Sequence, residues 1–208
     1  MIRNGEIALL PPSAPGMRIG LFGGSFNPPH DGHRLVALQC LKRLELDAVW
    51  MLVTPGNPLK DNAGLAGLAE RVAAVAKLVA HPRVRVTAFE ADHGFRYSYD
   101  TVRFLTTTLP DRRFVWIMGA DNFRDFDRWE RWRDIAGMMP MAIYNRPGAS
   151  LTAPRSPAAT ALARYRVDEA DARHLADLRP PAWVFLRGLL SGLSSRAIRA
   201  AAKPVAKP

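Results

Sequence analysis

Only one cysteine, Cys40, stands among the 208 residues, so no internal disulfide can form and a disulfide-stapled scaffold is excluded. Long apolar runs are missing as well: none approaches the roughly 18 residues needed to cross a bilayer. The first residues carry a short apolar stretch, Ile7 to Leu10, that Pro11 and Pro12 end at once, which makes a poor secretory signal. A cytoplasmic protein with no membrane partner is expected. Acidic residues are few, 19 against 29 Lys+Arg, and the formal net charge is +10. That excess favours anionic partners: nucleic acid, acidic lipid or phosphorylated small molecules. A nucleic-acid-binding module would cluster its cations and interleave them with aromatics. Here the basic residues are dispersed, and the densest stretch, Arg124 to Arg133, alternates them with Asp125, Asp127 and Glu130 in the manner of a solvated helix face. Nucleic acid is therefore not an expected partner.

What is present is enough apolar material for a core. With 48% hydrophobic and 23% charged residues, the chain fits one globular domain, placed at 17–202, with loose, proline-rich termini at 1–16 and 203–208. Short β-rich runs at 17–22, 48–53, 84–89, 113–118, 139–144 and 183–186 read as six buried strands. Between them, 32–44, 65–80, 99–109 and 129–138 carry apolar residues at helical spacing, 194–202 reads as a closing helix, and 148–157 reads as an exposed loop. The alternation predicts an α/β fold, a Rossmann-like parallel sheet with helices on both faces. Ligands of such sheets bind outside the carboxyl ends of the strands.

At the exit of the first strand the chain reads Gly20-Leu-Phe-Gly-Gly-Ser-Phe-Asn-Pro-Pro-His-Asp-Gly-His33. Neither the dinucleotide fingerprint nor the P-loop is there. Gly23 and Gly24 permit close approach of a ligand to the backbone, and Pro28 and Pro29 stiffen the chain before a helix. His30 and His33, three residues apart, would share one face of its first turn. Backbone N–H groups, the helix dipole and imidazole donors together suit a phosphate. A shared zinc ion is the competing chemistry, but it needs a third ligand, and His81, His93 and His174 are isolated. Toward the end of the chain, Ser194 is a natural N-cap, and Ser195 and Arg199 one turn on can face the same anion. Asp121, after a strand and a small-residue turn, can hold a ribose hydroxyl or an Mg²⁺-bound water, or cap a helix.

The stretch Gly23 to His33 resembles the G-x-F-x-P-x-H-x-G-H signature of the HxGH nucleotidyltransferase superfamily. Further motifs follow in order: Thr54 to Lys60 with its N-P-x-K loop, Ser98-Tyr-Asp-Thr101, Met118-Gly-Ala-Asp-Asn122, Trp129 with Trp132, Asn145-Arg-Pro-Gly148, and Ser194 to Arg199. Together they are similar to the nicotinate-nucleotide adenylyltransferase family and span most of the chain. Ser98 stands where that family often has Thr, which keeps a hydroxyl. Arg196 replaces the Thr of the closing S-S-T-x-x-R motif and so changes one phosphate contact or adds a charge to it.

The resemblance implies transfer of the adenylyl group of ATP to nicotinate mononucleotide, giving deamido-NAD and pyrophosphate, with Mg²⁺ carried in on ATP. It implies His30, His33, Lys60 and Arg199 as catalytic residues. ATP would meet Gly23, Gly24, Ser25, Phe26, Asp121, Ser194 and Ser195 together with the histidines and Arg199. The mononucleotide would meet Ser25, Lys60, Ser98, Tyr99 and Arg146, with Trp129 stacked on its electron-poor ring. Nicotinamide-mononucleotide and pantetheine-phosphate adenylyltransferases share the histidine turn and are the near alternatives. Oligomeric state has no signal in the sequence.

Overall fold

The computed structural model describes residues 10–56 and 64–188 together with 193, 195, 198 and 199. Seven parallel strands form one sheet in the order β3-β2-β1-β4-β5-β7-β6. These are β1 (Arg18–Gly24), β2 (Ala48–Val53), β3 (Val84–Thr87), β4 (Arg113–Gly119), β5 (Met141–Tyr144), β6 (Arg166–Val167) and β7 (Trp183–Leu186). Helices α1 (Asp31–Arg43) and α2 (Leu68–Val79) precede the four-residue α3 (Phe89–Asp92); α4 (Ser98–Thr108), α5 (Ala120–Arg124), α6 (Trp132–Met138) and α7 (Pro157–Ala161) follow. No described helix is long and apolar enough to cross a membrane.

Because side chains alternate along a strand, a sheet covered on both faces needs apolar residues at nearly every position. All six residues of β2 are buried. Trp50 and Leu52 join one core with Ile19, Leu21, Trp116 and Met118, and α4, α5 and α6 cover it through Val102, Leu105, Phe123 and Ile135. Val49, Met51 and Val53 join the other, which α1 and α2 cover through Val36, Leu41, Val75 and Val79.

The structure departs from the sequence expectations in several places. A seventh strand, β6, is two residues long and only partly buried, too short to leave a pattern. β3 stops at Thr87, where Oγ1 accepts from the Phe89 N–H at 3.3 Å and α3 begins. The 148–157 loop contains a 3₁₀ turn, Ala153–Arg155, and Ser156 caps α7 by accepting from the Ala159 N–H at 3.2 Å, with Pro157 at the first helical position. Residues 13 and 16 of the leader bond to the segment before β4. Arg112 donates to the Ser13 carbonyl at 3.0 Å, and the Gly16 N–H to the Asp111 carbonyl at 2.7 Å. Of the closing helix, residues 195, 198 and 199 are described and helical.

Trp183 is 1% exposed, and its indole N–H donates to the Leu162 carbonyl at 2.8 Å, tying β7 to the segment after α7. The Tyr165 N–H donates to the same carbonyl at 3.0 Å, so Trp183→Phe would remove one of its two donors, a loss of about 0.5–1.5 kcal/mol. Urea denaturation should show a lower midpoint with the m-value unchanged; an unchanged midpoint would show that the bond contributes nothing.

Candidate active site

The chain leaves β1 toward β2 and β3 and returns to pair β4 on the other edge of β1, so the sheet's switch point lies between β1 and β4. There the turn after β1 is tightly built. A Cβ on Gly24 would lie 3.0 Å from the Phe26 ring, and Phe26, 2% exposed, sits at φ 45°, a left-handed conformation that a bulky side chain adopts at a cost of about 1–3 kcal/mol. The ring of Phe26 meets His33 edge-on at 4.9 Å.

His30 is the N-cap of α1 and His33 its third residue. Their ring centroids are 3.8 Å apart. His33 Nδ1 accepts from the His30 backbone N–H at 3.2 Å, which leaves Nε2 to carry the proton of a neutral ring. His30 is 5% exposed, and among the described residues neither of its ring nitrogens has a hydrogen-bond partner. Burial, then Arg146, holds His30 below the ordinary imidazole range, although Asp31 opposes this. Burial, then His30 and Arg146, pushes His33 down to about 3. Both imidazoles are thus neutral donors near neutral pH, placed at the positive end of a 13-residue helix. Among the described residues, no three His, Cys, Asp or Glu side chains group to hold a metal ion.

Two lobes open on either side of Gly23, Gly24, Ser25 and Asn122, which line both. The histidine lobe, about 410 Å³, adds Phe26, His30, His33, Asp121, Arg146, Ser195 and Arg199. Arg146 Nε lies 3.8 Å from Asp121 Oδ1. Ser195 donates to the Pro28 carbonyl at 2.8 Å, and Arg199 donates to the Asn27 carbonyl, so the closing segment is docked on the histidine turn. The second lobe, about 310 Å³, is aromatic: Phe95, Tyr97, Trp116 and Trp129 line it with Ser98, Glu90, Arg96 and Arg128. Glu90 is buried and accepts from the Thr101 hydroxyl at 2.6 Å; burial raises its pKa and that hydrogen bond partly opposes the rise. Trp129 is not helical. It ends the 3₁₀ turn Phe126–Arg128, standing edge-on to Phe126 at 5.4 Å and to Trp116 at 6.4 Å.

Of the residues singled out from sequence, Gly23, Gly24, Ser25, Phe26, His30, His33, Asp121, Ser195 and Arg199 gather in the histidine lobe, and Ser98 and Trp129 line the aromatic one. Arg146, expected to meet the mononucleotide, lines the histidine lobe. Tyr99 lines neither lobe; its ring packs on the core and carries the Arg131 guanidinium at 4.1 Å. Lys60 and Ser194 lie outside the described residues. Glu90, Arg96, Trp116 and Arg128 were not singled out. Glu90, an acid directly after an apolar strand pattern, was the one with a visible signal.

Residues 21–201 match the family described as cytidylyltransferase-like. Curated relatives named "Probable nicotinate-nucleotide adenylyltransferase" include one from Bradyrhizobium sp. (strain ORS 278), 57% identical over 183 residues, which cover 88% of this chain and 95% of the relative. Another, from Rhizobium meliloti (strain 1021), is 53% identical over 185 residues, covering 89% and 98%. Among solved structures, "Plasmodium falciparum nicotinic acid mononucleotide adenylyltransferase complexed with NaAD" superimposes with a TM-score of 0.66 at 16% identity, covering 88% of this chain and 83% of that one, a likeness of fold. At more than half identity over nearly the full length of both relatives, the chain belongs to the cytidylyltransferase-like family and, within it, to the nicotinate-nucleotide adenylyltransferases.

Proposed function

We propose that residues 17–202 act as one nucleotidyltransferase domain that moves the adenylyl group of ATP onto nicotinate mononucleotide, releasing pyrophosphate and forming deamido-NAD. The observation that carries this is the pair of lobes meeting at Gly23 to Ser25: one cationic and rich in donors, the other walled by Trp116 and Trp129. A polyphosphate fits the first and a flat electron-poor ring the second.

The nucleophile is the phosphate of the mononucleotide, already ionised at neutral pH, so no protein base is required. Its oxygen attacks the α-phosphorus of ATP in line while the bond to the β-phosphate oxygen breaks. Catalysis consists of positioning and of donors aimed where charge changes. His30 would donate to the α-phosphate. His33, through Nε2–H, would hold the departing phosphates together with Ser195 and Arg199, and Lys60 and Ser194 would join them. Asp121 would face the ATP ribose or an Mg²⁺-bound water. Mg²⁺, carried in on ATP, would offset the charge of the phosphates. The lobe offers it little as a resident ion, because Asp121 faces Arg146 and Asp125 pairs with Arg124 at 3.1 Å, whereas Mg²⁺ commonly takes one or two carboxylates and completes its shell with substrate phosphates and water.

Incubation with ATP, Mg²⁺ and, separately, nicotinate mononucleotide, nicotinamide mononucleotide and phosphopantetheine should release pyrophosphate fastest with the first. Faster release with either of the others would overturn the substrate assignment. His30→Ala should lower kcat by about 10²–10³, the usual effect of removing a preorganised donor, at an unchanged Tm. Near-normal kcat would remove His30 from the chemistry.

The neutral state of His33 also sets a pH dependence of stability. In the unfolded chain the imidazole binds a proton below about 6.5, whereas in the fold it stays neutral down to about 3. Between these values the unfolded state holds the extra proton, so stability falls as pH falls through 6.5. His33→Gln should therefore show a shallower decline in Tm from pH 7 to 4.5 than the parent protein, with a residual slope from His30. Parallel curves would show that His33 titrates normally in the fold.

A further inference from the structure

Arg71 is 2% exposed and lies within the first five residues of α2, where a cation is disfavoured by the helix dipole. No carboxylate pairs with it among the described residues. Burying a cation without an acid costs several kcal/mol unless its donors are met. Here they are met by four backbone carbonyls: Nε donates to Ala66 at 2.9 Å, Nη1 to Ser25 at 2.9 Å and to Thr54 at 2.8 Å, and Nη2 to Pro55 at 3.4 Å. Three of these residues, Ser25, Thr54 and Pro55, line the aromatic lobe, and Ser25 lines the histidine lobe too. A fixed five-donor fork can join carbonyls from three separate turns; an ammonium cannot do so with the same geometry.

Peptide planarity carries the consequence further. In a trans peptide the carbonyl and the following N–H point in opposite directions. The Ser25–Phe26 and Pro55–Gly56 bonds are not among the cis bonds of the chain. With the Ser25 and Pro55 carbonyls turned inward to Arg71, the N–H groups of Phe26 and Gly56 are turned away from it. Among the described residues neither donates to a backbone acceptor, and the two residues line the histidine and aromatic lobes respectively. We infer that Arg71 is a positioning residue for the transfer: it locks the turns after β1 and β2 together, sets the distance between the two lobes, and holds these two amides facing the cleft. The inference rests on the adenylyl-transfer reading above, with ATP in one lobe and the mononucleotide in the other.

Arg71→Lys and Arg71→Met separate this role from simple support of the fold. Steady-state kinetics with nicotinate mononucleotide and MgATP, run well below the Tm of each variant, should show kcat/KM for the mononucleotide reduced about 10²-fold in Arg71→Met, as expected for a displacement on the order of 1 Å at the reacting groups. Arg71→Lys, which keeps the charge and loses the fork, should recover part of that loss, with kcat as well as KM affected. An arginine that only stabilised the fold would lower Tm and leave kcat and both KM values of the folded variants nearly unchanged; that result overturns the inference. If Arg71→Met does not fold, Arg71→Lys decides by the same criterion. A wild-type protein inactive with every mononucleotide would overturn the transfer reading itself, whereas wild-type turnover matched by Arg71→Lys would overturn the role of Arg71 alone.

Discussion

β1 pairs on both edges, with β2 and with β4, and the chain visits these neighbours in opposite directions across the sheet. Right-handed crossovers then require the connections on the β2 side, α1 and α2, to cover one face, while α4, on the return to β4, covers the other. At the carboxyl ends of β1 and β4 the covering helices part, and nothing apolar can fill the gap without closing it. The cleft is therefore a product of strand order, and every functional side chain is placed by where its loop enters that gap. The histidine turn leaves β1, Asp121 and Trp129 follow β4, and Arg146 follows β5.

Charge is distributed in the cleft with the same economy. Protonated histidines would bring charge that an empty lobe has to neutralise; burial and Arg146 keep both imidazoles neutral, which leaves them directional donors without net charge. The permanent charge is left to guanidinium groups, which do not titrate. The net charge of +10 has little to do with any one contact; it raises the local concentration of two anionic substrates around a protein that must bring them together.

The alternation of strands and helices, both faces of the sheet and the histidine turn were legible because each leaves a local pattern. Trp129 was misplaced on a helix because its spacing to Trp132 is helical, although Trp129 ends a 3₁₀ turn and Arg131 at φ 51° separates it from the start of α6. Tyr99 and Ser98 are neighbours in sequence, but at about 100° per helical residue they leave the start of α4 in different directions, so a motif that names both cannot say which one reaches the cavity. Arg71 was invisible for another reason. A lone arginine in an amphipathic helix reads as solvated surface, and the four carbonyls that surround it come from segments whose approach depends on the finished sheet.

The docking of Ser195 on Pro28 and of Arg199 on Asn27 joins residues 167 and 172 positions apart. The histidine lobe is thus walled by two segments that meet only when the fold is complete. A partly folded chain that has already formed the turn after β1 still lacks one side of the lobe, so the cleft is a property of the whole tertiary structure and not of the turn that carries its histidines.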